Sequence, residues 1–107
     1  MPKGKQDYSN TLIIAIQFKN ANINECIIDY TTGLINKIQL LKKQYNNSKH
    51  KNYNCEFFEL MRINEGWEGV DVLILEEFKE CENKSQALMR VREWKLKMKD
   101  TNKILLI

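Results

Sequence analysis

TLIIAIQFKNANINECIIDYTTGLINKIQLL, residues 11–41, has the pattern of a β-hairpin that runs straight into a helix. Leu12, Ile14, Ile16 and Phe18 alternate with Ile13, Ala15, Gln17 and Lys19, the period of two that sends successive side chains to opposite faces of a strand. Asn20, Ala21, Asn22, Ile23 and Asn24 supply the turn, because asparagine tolerates left-handed backbone angles and bonds its own main chain. Residues 25–30, ECIIDY, return as the second strand. Thr31 and Thr32 are candidate caps for a helix whose apolar face is Leu34, Ile38, Leu41 and Tyr45, spaced i, i+4, i+7 and i+11.

Downstream, residues 44–54 (QYNNSKHKNYN) form a polar, asparagine-rich connector that carries Lys49, His50 and Lys51. A second helix is predicted from Asn54, an acceptable N-cap, to about Asn64, with Phe57, Phe58, Met61 and Ile63 as its apolar side and Gly66 closing it. Trp67 is expected to pack against the core. Residues 70–76, VDVLILE, are apolar on both faces, which predicts a central strand covered on both sides. A last helix begins near Asn83 or Ser85 and buries Ala87, Val91, Trp94 and Met98.

The expected fold is therefore α/β in the broad, α+β sense: a small, mainly antiparallel three-stranded sheet flanked by helices, in the order ββααβα. Residues 1–6 form a flexible lead-in, residues 7–99 the domain, and residues 100–107 an apolar C-terminal tail. Ile104, Leu105, Leu106 and Ile107 are costly to leave in water. They are expected to add a strand to the domain's own sheet or to form an interface with a second copy or another protein.

The order and spacing of these elements resemble the GIY-YIG nuclease domain, in the short stand-alone version carried by large DNA viruses. The resemblance rests on DYSNT at 7–11 leading into the first strand, TT after the second, NEGWEGVDVLILEEF at 64–78, and CENKSQA at 81–87 opening the last helix. It covers nearly the whole chain, from about Asp7 to about Met98. In that family the first strand carries a tyrosine, the second a tyrosine and a glycine, the next helix an arginine, and a late helix a metal-binding glutamate. Here those places hold Ile14, Ile27, Asp29, Asn36 or Lys37, and Val91.

Cutting a phosphodiester needs a proton acceptor, cations to neutralise the phosphoryl oxygens, and usually a divalent metal held by carboxylates. Isoleucine and valine supply none of these. Among the neighbours, Glu93 is rotated by about 200° from Val91 along the helix, and Tyr30 falls on the opposite strand face from Ile27. Asp29 shares a face with Ile27, but a single carboxylate makes a poor metal site. The resemblance thus implies an inactive relative without a catalytic site, in which Val91 joins Ile14 and Ile27 to seal a former cleft with hydrophobic packing. Magnesium or manganese enters only under the alternative of a divergent nuclease using Asp29 and a lysine.

Charge supplies the remaining expectation. The chain of 107 residues carries a formal net charge of +3, with the acid concentrated in its middle third. The first and last helices are expected to build one basic side, binding DNA or RNA through Lys37, Lys42, Lys43, Lys49, Lys51, Arg90 and Arg92. The other reading is protein interaction or self-assembly through the acidic middle and the apolar tail. The three cysteines, Cys26, Cys55 and Cys81, are odd in number and widely spaced, which argues for reduced thiols rather than disulfides. With His50 they lack the close spacing of a zinc motif. No stretch is long and apolar enough for a membrane partner, and the expected setting is intracellular and cytoplasm-like, in a host cell or virus factory if the chain is viral.

Overall fold

The computed structural model describes residues 7–107. The lead-in expected at residues 1–6 lies outside them. The chain folds as a mixed α+β domain: β1 (Thr11–Phe18), β2 (Glu25–Thr31), α1 (Leu34–Asn46), α2 (Glu56–Arg62), β3 (Val70–Phe78), α3 (Lys84–Met98) and β4 (Lys103–Ile104). The sheet has four strands in the order β3-β1-β2-β4, so the expected three-stranded sheet gains one. β1 runs antiparallel to both β2 and β3, while β4 pairs parallel to β2 through Glu25 with Lys103 and Cys26 with Ile104.

Because strand side chains alternate, the central strand β1 feeds a core on each face of the sheet. Ile16 and Phe18 join Ile27, Leu41, Phe57, Phe58, Met61, Val70 and Leu105 beneath α1 and α2. Ile13 and Ala15 join Cys26, Ile28 and Val91 beneath α3, with Trp94 and Met98 packed around them. The helices therefore form two outer layers with the sheet between. Each aliphatic side chain removed from water in this way contributes roughly 1.5–3 kcal/mol.

β3 was expected at the centre of the sheet, but it is an edge, with Leu73 and Ile74 exposed. The register slips between Ile13 and Ile14, which pair with Glu76 and Ile74, so Leu75 is the extra residue of a bulge. The second helix is shorter than predicted: Cys55 rather than Asn54 is its N-cap, and Ile63 lies outside it in solvent. Its closure is also different. Glu65 and Gly66 both adopt left-handed angles, and a Cβ on Gly69 would come within 1.9 Å of the Asn64 carbonyl oxygen. Only glycine fits position 69, where the chain swings back to begin β3.

Local capping explains the other helix starts. α1 begins at Gly33 without a side-chain cap; Thr31 instead accepts the Gly33 N–H on its hydroxyl at 3.0 Å. α3 is capped by Asn83, whose side-chain amide oxygen accepts the Gln86 N–H at 2.9 Å, while the Gln86 side chain accepts the Glu82 N–H at 2.7 Å. This reciprocal arrangement satisfies backbone donors that the helix itself leaves free.

Candidate nucleic-acid interface

The positions that the resemblance assigns to chemistry do not all meet. Ile14, Ile27, Asp29 and Lys37 come together with Ile16, Leu41 and Ile107, and the space among them admits no water. Asn36 stands exposed on the rim of a neighbouring depression lined by Thr31, Thr32, Gly33, Lys37 and Leu40. Val91 is elsewhere. It is 5% exposed in the core under α3, on the opposite face of the sheet from Ile14 and Ile27. The expected seal made by these three side chains is therefore corrected: Ile107, from the C-terminal segment, takes the place assigned to Val91.

Both oxygens of the part-exposed Asp29 carboxylate carry a partner. Its Oδ2 receives the Lys37 ammonium at 2.7 Å, and its Oδ1 accepts the Tyr30 N–H at 2.8 Å. A cation beside a carboxylate already paired with lysine meets both a competitor and a like charge. On the opposite face Tyr30 packs against the α3 core, and burial first, then the negative charges nearby, push its phenol above the ordinary value. Among the described residues, no three His, Cys, Asp or Glu side chains converge into a ligand set.

The expected basic side is also divided. Lys42, Lys43, Lys49 and Lys51 belong to the end of α1 and the connector, on the layer formed by α1 and α2. Arg90 and Arg92 belong to α3, across the sheet. Two of the seven cations are consumed locally: Lys37 by Asp29, and Arg90 by Glu76 at 2.7 Å, with its guanidinium also 4.2 Å from the Phe78 ring centroid. Among the described residues, Lys42, Lys43, Lys49, Lys51 and Arg92 form no ion pair.

The connector that presents Lys49 and Lys51 is ordered by its own hydrogen bonds. The His50, Tyr53 and Cys55 N–H groups donate in succession to the carbonyls of Asn47, His50 and Asn52. His50 Nδ1 accepts the Asn52 N–H at 2.9 Å, and the Asn52 amide donates to Gln44 of α1 at 3.2 Å. His50 is thus a part-buried turn component rather than a member of the charged surface.

Sequence reading missed the residues that brace this loop. Arg62, at the end of α2, donates to the Tyr45 carbonyl at 3.2 Å and lies 3.8 Å from the Tyr53 ring centroid and 5.0 Å from that of Tyr45. Tyr45 in turn meets Phe58 and Trp67 edge to face, and the Lys42 ammonium stands 5.9 Å from the Trp67 ring. Trp67 packs against the core as expected, although its indole N–H is buried without an acceptor. The one signal in the sequence was a basic residue in the last turn of a short amphipathic helix, which names no partner. Glu76 was likewise missed as a hub: it accepts Arg90 on one oxygen and the Trp94 indole N–H, at 2.9 Å, on the other.

The four apolar tail residues are mostly used inside the domain. Ile104 pairs with Cys26 and packs on the α3 core, Leu105 is buried on the α1 and α2 side, and Ile107 packs beside it. Leu106 alone is exposed, at 76%. The segment set apart as residues 100–107 thus supplies a strand of the sheet. Cys26 and Cys81 are buried and Cys55 is part-buried, all as free thiols. Among the described residues no helix is long and apolar enough to cross a membrane. None of the family models, curated proteins and solved structures with which the chain was compared matches it.

Proposed function

We propose that the chain is a catalytically inert, GIY-YIG-like binding module that holds nucleic acid through Lys42, Lys43, Lys49 and Lys51. The observation that carries this reading is the set of four lysines without ion-pair partners among the described residues, two in the last turns of α1 and two on the hydrogen-bonded connector that follows it. Lysines on a backbone that is already ordered need no further backbone ordering on meeting phosphates, and each phosphate they neutralise releases a condensed counterion. Lys37, Arg90 and Arg92 drop out of the interface, the first two by pairing and the third by position.

The inert character is supported by the filled space between Ile14 and Ile27 and by the occupied Asp29 carboxylate. A module of this kind needs no metal. The observed order departs from the expected ββααβα by the added β4, and the mixed α+β architecture is what supports the family reading.

The test is a salt titration on duplex DNA and single-stranded RNA, with a plasmid-cleavage assay in magnesium or manganese alongside. Binding whose logarithm falls with the logarithm of salt at a slope of about −3 to −4, without cleavage, agrees with four phosphate contacts. Absence of binding at low salt rejects the reading, and metal-dependent cleavage rejects its inert part.

A further inference from the structure

We infer that the outer edge of β3 is a docking site for an extended, lysine- or arginine-flanked segment of a partner protein, which adds there as a further strand. β3 is nine residues long, and among the described residues it pairs only with β1. Its outer side therefore offers a row of unused main-chain donors and acceptors, the requirement for strand addition.

The apolar residues on that edge stand on both faces. Leu73 pairs with Ala15, which belongs to the α3 core, and Ile74 with Ile14, which faces α1 and α2. They are 39% and 53% exposed, so a strand laid alongside would cover one with each of two successive side chains.

Charge selects the occupant. Glu68 and Asp71 lie at one end of the edge, Glu77 and Glu80 at the other, and among the described residues none of the four is in an ion pair. Lys19, Lys79 and Arg90 are the neighbouring cations, and Arg90 is already paired with Glu76, which leaves the edge acidic. A second copy pairing β3 against β3 would stack acid on acid, and the Leu75 bulge bends the strand away from a flat self-contact. A segment with aliphatic residues in its middle and cations at its ends meets the opposite pattern. This surface is separate from the lysines assigned to nucleic acid, so either assignment can fail alone.

The probe is a fluorescein-labelled peptide, Arg-Arg-Val-Thr-Val-Thr-Val-Arg-Arg, titrated with the full chain and followed by anisotropy. Twins with glutamate at both ends, and with alternate backbone nitrogens methylated, serve as controls. The expected result is saturable binding that weakens by about tenfold or more for each twin and for Ile74→Lys, a surface change that leaves the melting temperature in place. No binding, or equal binding of the acidic or methylated twin, overturns the proposal. Sedimentation of the chain alone is expected to give a monomer; a dimer dissolved by Ile74→Lys assigns the edge to a second copy and overturns it equally.

Discussion

The Lys37 ammonium lies 2.7 Å from Asp29 Oδ2, bridging α1 to β2 at the mouth of the space filled by Ile14, Ile27 and Ile107. This contact sets a lysine ammonium on the one carboxylate of that space, so a divalent cation there would meet a like charge. The wild type and Asp29→Ala are both expected to leave plasmid DNA uncut in magnesium or manganese. Because both partners are part-exposed, its cost should be about 1 kcal/mol or less in urea unfolding. Cleavage by the wild type that Asp29→Ala abolishes would restore an enzyme.

Restoring a glutamate by Val91→Glu should not restore chemistry, since position 91 belongs to the α3 core, across the sheet from Ile14. The new carboxyl would be buried among Ile13, Ala15 and Ile28, and its folded pKa would rise above the free value. Stability relative to wild type should then be greatest in acid and fall as pH climbs through the unfolded and then the folded pKa. Thermal melts at pH 4 and pH 7 check this; a variant more stable at the higher pH, or one that cuts DNA, would place Val91 wrongly.

Glu76 ties β3 to α3 through two charge-assisted bonds. Glu76→Ala should lower unfolding free energy by about 1.5–3 kcal/mol, since it strips partners from part-buried donors. Glu76→Gln keeps an acceptor for one of them and should recover part of the loss. Equal values for the two variants would mean that packing alone joins these elements.

Burial also raises the Cys26 thiol above its ordinary value of 9.0. The stability this group contributes is present below that ordinary value and lost as pH rises through the folded one. In the native protein at pH 8, Cys55 is expected to react with a thiol reagent first, with Cys26 and Cys81 released only on unfolding. Simultaneous reaction of all three would show the α3 core to be open.

The hairpin and helices were legible because periodicity reports which side chains share a face. Ile16 and Phe18 indeed part from Ile13 and Ala15 onto separate cores. Periodicity does not say which helix covers which face, and so Val91 was assigned to the wrong layer. Nor does it report edges: Val70, Val72, Leu73 and Leu75 make β3 apolar on both faces whether or not a neighbour lies beside it. β4, with two residues, is too short to carry a period at all, and its pairing depends on the Lys103 N–H reaching the Asn24 carbonyl at 3.1 Å. The basic surface was half legible. Lysine density marked residues 42–51, but the local pairing of Lys37 and Arg90 and the stacking of Arg62 on Tyr53 are products of tertiary approach.

The most direct test compares the salt slope of duplex binding for the wild type with that of a variant carrying Lys42→Ala, Lys43→Ala, Lys49→Ala and Lys51→Ala, using Arg92→Ala as the control across the sheet. The slope should fall from about −3 to −4 to near zero in the fourfold variant and stay unchanged in the control. Binding that survives loss of the four lysines, or that vanishes with Arg92, would contradict the assignment of this surface to nucleic acid.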